Sequence, residues 1–215
     1  MKKVTRFVPA VIAASVFAAA MNVAPASAEM SANVGAVSKY YFRGIQQTDS
    51  ASVSAGLDYE SDGFYAGTWV ADVKDGLEVD LYAGFGTELA SGMSLGAGVT
   101  TYQYTGDFDS AYNELNLSAG YSIFSLEYTF GDWKSDASLG IDGGSYTFLG
   151  LTAEYEGFYG TSGTFDEGDS GSYVEVGYGG SVEDAFDYGV SFISSDADLG
   201  DDESFVLSIS KSFDL

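Results

Sequence analysis

Residues 77–88 read Leu-Glu-Val-Asp-Leu-Tyr-Ala-Gly-Phe-Gly-Thr-Glu. Leu77, Val79, Leu81, Ala83 and Phe85 share one face, while Glu78, Asp80, Tyr82, Gly84, Gly86 and Glu88 share the other. A period of two belongs to a β-strand, because successive side chains there point to opposite faces. About ten residues is also the length at which a tilted strand crosses an outer membrane. One such strand decides little, but the pattern recurs on both sides of it.

Working outward, the alternation predicts twelve strands, at 31–42, 50–59, 63–71, 77–88, 93–104, 112–121, 124–130, 145–155, 158–165, 172–179, 186–194 and 204–213. The connections at 60–63, 89–92, 122–123, 156–157 and 180–185 are short, and most carry Gly, which supplies the positive φ of a hairpin turn. Those at 43–49, 72–76, 105–111, 131–144, 166–171 and 195–203 are longer and acidic. Alternation of tight turns and long loops with an even strand count is the pattern of an outer-membrane barrel, with both chain ends on the periplasmic side. The fold class expected is therefore all-β: a transmembrane antiparallel up-and-down barrel of about twelve strands.

The side-chain patterns agree. Val53, Ala55, Leu57 and Tyr59 would face lipid, as would Leu115, Leu117, Ala119 and Tyr121, and Phe186, Tyr188, Val190 and Phe192. Opposite them stand mostly Gly, Ser and scattered acids. The strand at 63–71 is ambiguous, since Phe64, Tyr65, Trp69 and Val70 put bulk on both sides. Aromatics near strand ends (Tyr40, Tyr41, Phe42, Tyr102, Tyr104, Phe124, Phe130, Tyr155, Phe158) suit interfacial girdles. A secreted β-sandwich also alternates, but its outer face would be charged rather than small and its loops need not sort by parity.

The first 28 residues read as a secretory signal: Lys2, Lys3 and Arg6, an apolar run over 7–20, and an Ala26-Ser27-Ala28 cleavage site. The expected division is signal peptide at 1–28 and barrel at 29–215. Three of the eight basic residues fall in that signal and all 32 acids lie beyond it, so the mature balance is 5 − 32 = −27. That balance excludes nucleic acid as a partner held through a basic patch. With no His and no Cys, Ser-His-Asp and Cys-His catalysis and imidazole or thiolate metal sites are excluded, and no disulfide or cofactor is expected. Enzymatic activity is not expected. The acidic loop at 196–203 departs from the EF-hand spacing and reads as a solvated loop, one able to bridge lipopolysaccharide through divalent cations.

The lumen-lining candidates are Lys39, Arg43, Glu78, Asp80, Glu88, Glu114, Glu127, Glu154, Glu175 and Asp187. Lys39 and Arg43 share a face of the first predicted strand. Facing lipid, a cation there would cost roughly 2–4 kcal/mol at the midplane, so the lumen or its rim is preferred. There the two are expected to pair with lumen carboxylates in a cluster that narrows the channel. The many small lumen residues, among them Gly84, Gly86, Gly96, Gly98, Ser118 and Gly120, argue for space rather than a plug.

Residues 38–73 add a likeness. Tyr41-Phe42-Arg43-Gly44-Ile45-Gln46-Gln47-Thr48 and Gly63-Phe64-Tyr65-Ala66-Gly67-Thr68-Trp69 resemble the opening of the TorF-type porins of proteobacterial outer membranes. The rest of the chain matches in strand rhythm. The resemblance implies location and fold more than a substrate. One departure from barrel proteins is the C-terminus, Phe213-Asp214-Leu215, where the aromatic read by the assembly machinery stands two residues early. The functional expectation is an outer-membrane porin passing small hydrophilic solutes and favouring cations. Its partners would be outer-membrane lipid, lipopolysaccharide and the barrel assembly machinery. The alternatives are a non-conducting barrel displaying acidic loops, as a structural or adhesion protein, and a soluble secreted β-protein.

Overall fold

In a computed structural model, which describes residues 28–166, 170–183 and 185–215, the chain closes into a barrel of twelve antiparallel strands. In chain order the elements are β1 (Glu29–Val37), a small internal hairpin β2 (Tyr41–Phe42) and β3 (Ile45–Gln46), then β4 (Ser52–Ser61), β5 (Phe64–Asp72) and β6 (Leu77–Glu88). They continue as β7 (Ser94–Tyr104), β8 (Tyr112–Tyr121), β9 (Phe124–Trp133), β10 (Gly144–Tyr155), β11 (Phe158–Asp166), β12 (Gly171–Val182), β13 (Phe186–Ser195) and β14 (Glu203–Asp214). Each wall strand pairs with its sequence neighbour, and β1 closes the ring against both β4 and β14, with Val34 opposite Ala55 on one side and Lys211 on the other. The signal peptide expected at 1–28 lies, but for its last residue, outside the described residues.

Tight turns close the hairpins at one end. At Asp62-Gly63 and Glu156-Gly157 both central residues have positive φ (49° and 86°, 51° and 84°), as a type I′ turn requires. The parity expected of the connections holds except at 89–93, which is longer than two connections of the opposite end, 73–76 and 167–170.

Inside and outside follow the pleat. On β6, Glu78, Asp80 and Tyr82 are buried while Leu81 and Phe85 are more than half exposed. The ambiguous strand β5 is settled by register: Gly67, Trp69 and Ala71 stand opposite Tyr82, Asp80 and Glu78, so they face inward with Tyr65. Among the described residues, exposed large apolar side chains outnumber buried ones. Tyr121, Phe124, Tyr155 and Phe158, at 54–64% exposure, form an outward aromatic belt at the tight-turn end. Among the described residues no sheet covers this surface, since the one besides the barrel is the small β2–β3 ladder, so the sandwich alternative does not describe this fold.

The largest departure from expectation is at the start. The strand predicted at 31–42 ends at Val37, and the chain turns into the barrel. Tyr40 and Tyr41, placed by the sequence in an outer girdle, are 4% and 1% exposed in the interior, with Val37, Ala71, Val73, Ile193 and Val206. Tyr102 is likewise buried inside.

Candidate functional site

The hairpin of β2 and β3 turns at Arg43-Gly44, whose φ values of 46° and 82° repeat the type I′ geometry of the outer turns. It forms a two-stranded ladder of its own, separate from the wall. Gly44 lies against the Tyr173 ring, where an added Cβ would come within 2.5 Å of the Tyr173 Cβ, and its carbonyl accepts Ser195 Oγ at 2.5 Å. At the foot, Tyr41 donates to Ser204 Oγ at 2.8 Å and Tyr40 donates to Glu78 Oε1 at 2.7 Å. A tight turn, a ring-facing glycine and two tyrosine anchors carry Arg43 into the middle of the lumen.

Arg43 Nη1 donates to Glu114 Oε1 at 2.5 Å and Nη2 to Oε2 at 3.3 Å, a two-pronged contact. Nη2 also reaches Glu127 Oε1 at 2.5 Å and Thr129 Oγ1 at 3.2 Å. The guanidinium carbon lies 4.3 Å from the Phe148 ring centre and 4.8 Å from that of Phe42, within cation–π range. Side-chain exposure is 2% for Arg43, 0% for Glu114 and 17% for Glu127, so this is a buried ion cluster rather than a solvated surface pair. Wall residues hold the carboxylates independently of the hairpin. Tyr102 and Tyr146 donate to Glu114 at 2.8 Å and 2.5 Å, and Thr129 Oγ1 lies 3.3 Å from Glu127 Oε1.

The other candidates divide by position. Lys39 does not join the arginine; it donates to Ser204 Oγ at 3.1 Å, because the chain bends after Val37 and the shared strand face on which the two cations were paired does not exist. Glu78 and Asp80 are buried inward on β6, with Asp80 Oδ1 lacking a hydrogen-bond partner. Glu175 is buried and accepts Tyr159 at 2.5 Å. Glu88 and Glu154 are exposed near the tight-turn end, and Asp187, half-buried there, accepts Ser181.

Sequence reasoning missed Tyr102, Thr129, Tyr146 and Phe148 as parts of this cluster, and Tyr40 as the inward anchor on Glu78. The readable signal was Arg43-Gly44 between Tyr41-Phe42 and Ile45-Gln46, a two-residue hairpin turn flanked by bulky residues. Nor does every lumen glycine leave empty space: of those read as space, Gly84 is a seat for a ring. Tyr65 is registered opposite Gly84, Tyr82 opposite Gly67, Tyr146 opposite Gly131, Tyr159 opposite Gly177 and Tyr173 opposite Gly163. In each pair the ring lies over the glycine so closely that a Cβ there would collide with it.

Chemically, the arrangement is a polar barrel interior blocked across one half by an internal hairpin, with more buried acids than bases. Among the described residues no three His, Cys, Asp or Glu side chains converge to hold a metal ion.

Among solved structures, a protein from a study of the in-meso crystallization of membrane proteins is 13% identical over 87% of this chain and 84% of its own, with a TM-score of 0.61. OpdK of Pseudomonas aeruginosa is 15% identical over 79% of this chain and 58% of its own, TM-score 0.40. A mutant of the Rh. blastica porin is 14% identical over 76% and 55%, TM-score 0.41. The chain thus spans little more than half the length of those two. At 13% identity the first likeness is one of fold alone. No curated protein matches the sequence. A family profile described as "Bacterial protein of unknown function (Gcw_chp)" matches residues 21–202, most of the chain, and the protein belongs to that family.

Proposed function

We propose that this protein is an outer-membrane channel for small hydrophilic solutes, favouring cations, whose lumen is closed by the hairpin in the state described. The observation that carries the reading is the combination of a closed barrel, an apolar exterior with an aromatic belt, and an interior rich in carboxylates. Such an exterior is stable in acyl chains and unfavourable in water. With a screening length of about 8 Å at physiological salt, the acids Glu78, Asp80, Glu114, Glu127 and Glu175 keep a narrow lumen electronegative. Passage is passive diffusion, and the residue that controls it is Arg43. Export by the leader at 1–28, assembly by the barrel machinery and contacts of the long loops with lipopolysaccharide belong to the same reading, as does the TorF-type resemblance.

The second reading, a non-conducting barrel that displays its loops, is favoured by the tight burial of the hairpin. Planar-bilayer recordings separate the two. The wild-type protein is expected to conduct weakly. A variant in which a Gly-Ser linker replaces residues 40–48 is expected to conduct in large steps, with a reversal potential on the cation side. A folded, heat-modifiable barrel that conducts in neither form refutes the channel, and an anion-side potential refutes the role given to the acids.

A further inference from the structure

The cage around Arg43 has an unequal division of labour. The wall supplies Glu114 and Glu127, Thr129, the Phe148 ring and the Tyr102 and Tyr146 hydroxyls that fix Glu114. The hairpin supplies only the guanidinium and the Phe42 ring. Two carboxylates face one cation, so the wall is one positive charge short. A position over an aromatic ring combined with a forked pair of carboxylate bonds is the recognition chemistry of guanidinium, not of a compact ammonium. Glu127 is the part of the cage that remains accessible; Ser118 opposite it, and Gly120 and Ser125 beyond it toward the tight turn, are small. The hairpin shares no strand ladder with the wall, so its departure leaves the barrel's own hydrogen bonds intact.

We propose that the β8–β10 wall is a receptor for guanidinium-bearing solutes, that Arg43 occupies it as a built-in ligand, and that such a solute, arriving from the Glu127 side, displaces the hairpin and opens the lumen. This rests on the channel reading and names its solute class. A tethered arginine acts at high effective concentration, so opening needs a solute that gathers the same carboxylates and ring at once.

The test titrates methylguanidinium, with tetramethylammonium as a control of equal charge, onto the reconstituted protein in planar bilayers at constant ionic strength. Wild-type conductance is expected to rise saturably with methylguanidinium and not with tetramethylammonium. Arg43→Ala, open from the start, is expected to be partly blocked by methylguanidinium, down to the conductance that the saturated wild type reaches and not below it. Adding Glu127→Gln is expected to raise the blocking concentration about tenfold or more, the loss of one charge-assisted hydrogen bond. If Arg43→Ala fails to fold, the variant with residues 40–48 replaced by linker retains the wall cage and serves for the blocking arm. Open variants indifferent to methylguanidinium beyond tetramethylammonium, with no opening of the wild type, overturn this inference and leave the channel standing. Folded variants that never conduct overturn both.

Discussion

The two halves of the lumen are built from the same alternating strands and differ in what fills them. Toward the long loops, the interior holds the hairpin, two aromatic clusters and the Arg43–Glu114–Glu127 ion cluster. Toward the tight turns, the inward positions mix Gly and Ser with the Tyr65 and Tyr159 rings and with carboxylates such as Glu88, Glu154 and Asp187 near the rim. One half is therefore a packed core that happens to lie inside a barrel. The other is a vestibule in which small and polar residues stand between a few tyrosine rings. A strand pattern that guarantees a closed wall leaves the contents of that wall to a few residues in one loop.

The difference is sharpest at Arg43. Replacing it by Ala strands Glu114, whose side chain is fully buried, without its cation. Breaking a buried pair in this way costs about 3–5 kcal/mol. The midpoint of urea unfolding in detergent is expected to fall accordingly, whereas Glu88→Gln in the vestibule is expected to leave it unchanged. Equal effects at the two sites would abolish the distinction between the halves.

The exterior, by contrast, is expected to be uniform across both halves. Leu81 lies in the body of β6 and is 53% exposed. Leu81→Arg is expected to cost roughly 2–4 kcal/mol in a lipid bilayer, and Phe158→Arg, at the belt, about 0–1. Unfolding measured in lipid vesicles checks this. A Leu81→Arg variant as stable as the wild type would mean that this surface does not face acyl chains.

Glycines extend the contrast to finer scale. A Cβ at Gly131 would collide with the Tyr146 ring that donates to Glu114. Overpacking of this kind costs about 1–3 kcal/mol, so Gly131→Ala is expected to lower the unfolding midpoint. At Gly160, on the outward face of β11 opposite Val176, the nearest atom to an added Cβ is Val176 Cγ1 at 3.9 Å, and Gly160→Ala is expected to be tolerated. The paired measurement distinguishes glycines that seat rings from those that do not.

These particulars also say what the sequence could and could not disclose. The wall was legible because its two faces meet different surroundings. β6 and β8 run over 77–88 and 112–121, the very bounds that alternation predicts, and inward Asp187, Gly189 and Ser191 sit opposite outward Tyr188 and Val190. The interior was not legible, because buried aromatics and belt aromatics are the same residue types at the same strand ends. Tyr40 and Tyr41 went inward and Tyr155 and Phe158 outward. Composition cannot tell them apart, since the deciding event is a bend after Val37. Gly84, read as space, misled for a related reason: a glycine opposite a tyrosine in register makes a seat, and register appears only once strands are paired. Arg43 was readable as an inward cation, but its partners come from β8 and β9, on far strands that no local pattern links to it.

The smallest effect is expected where the packed half meets solvent. The loop after β13 lowers Leu199 onto Tyr146, Phe148, Phe165 and Tyr173, closing that half from above. Asp196 shapes the loop: it accepts from Ser172 N at 2.7 Å, Ser172 Oγ at 2.8 Å, Asp198 N at 3.2 Å and Leu199 N at 3.3 Å. The Ser172 hydroxyl above all, with these backbone amides, holds its carboxyl below the usual aspartate range. A carboxyl depressed on folding contributes stability that is complete above its unfolded value, about 3.9, and is lost as pH falls through the folded value. Acidification below that range is therefore expected to speed amide exchange at Leu199 before it affects Leu117 in the wall, and Asp196→Ala is expected to give fast exchange at Leu199 at neutral pH. Because the carboxylate is exposed, the gain is modest and confined to the loop. Exchange that rises together at Leu199 and Leu117 would show that the cap and the wall yield as one unit, and the packed half would then extend to the loop surface rather than end beneath it.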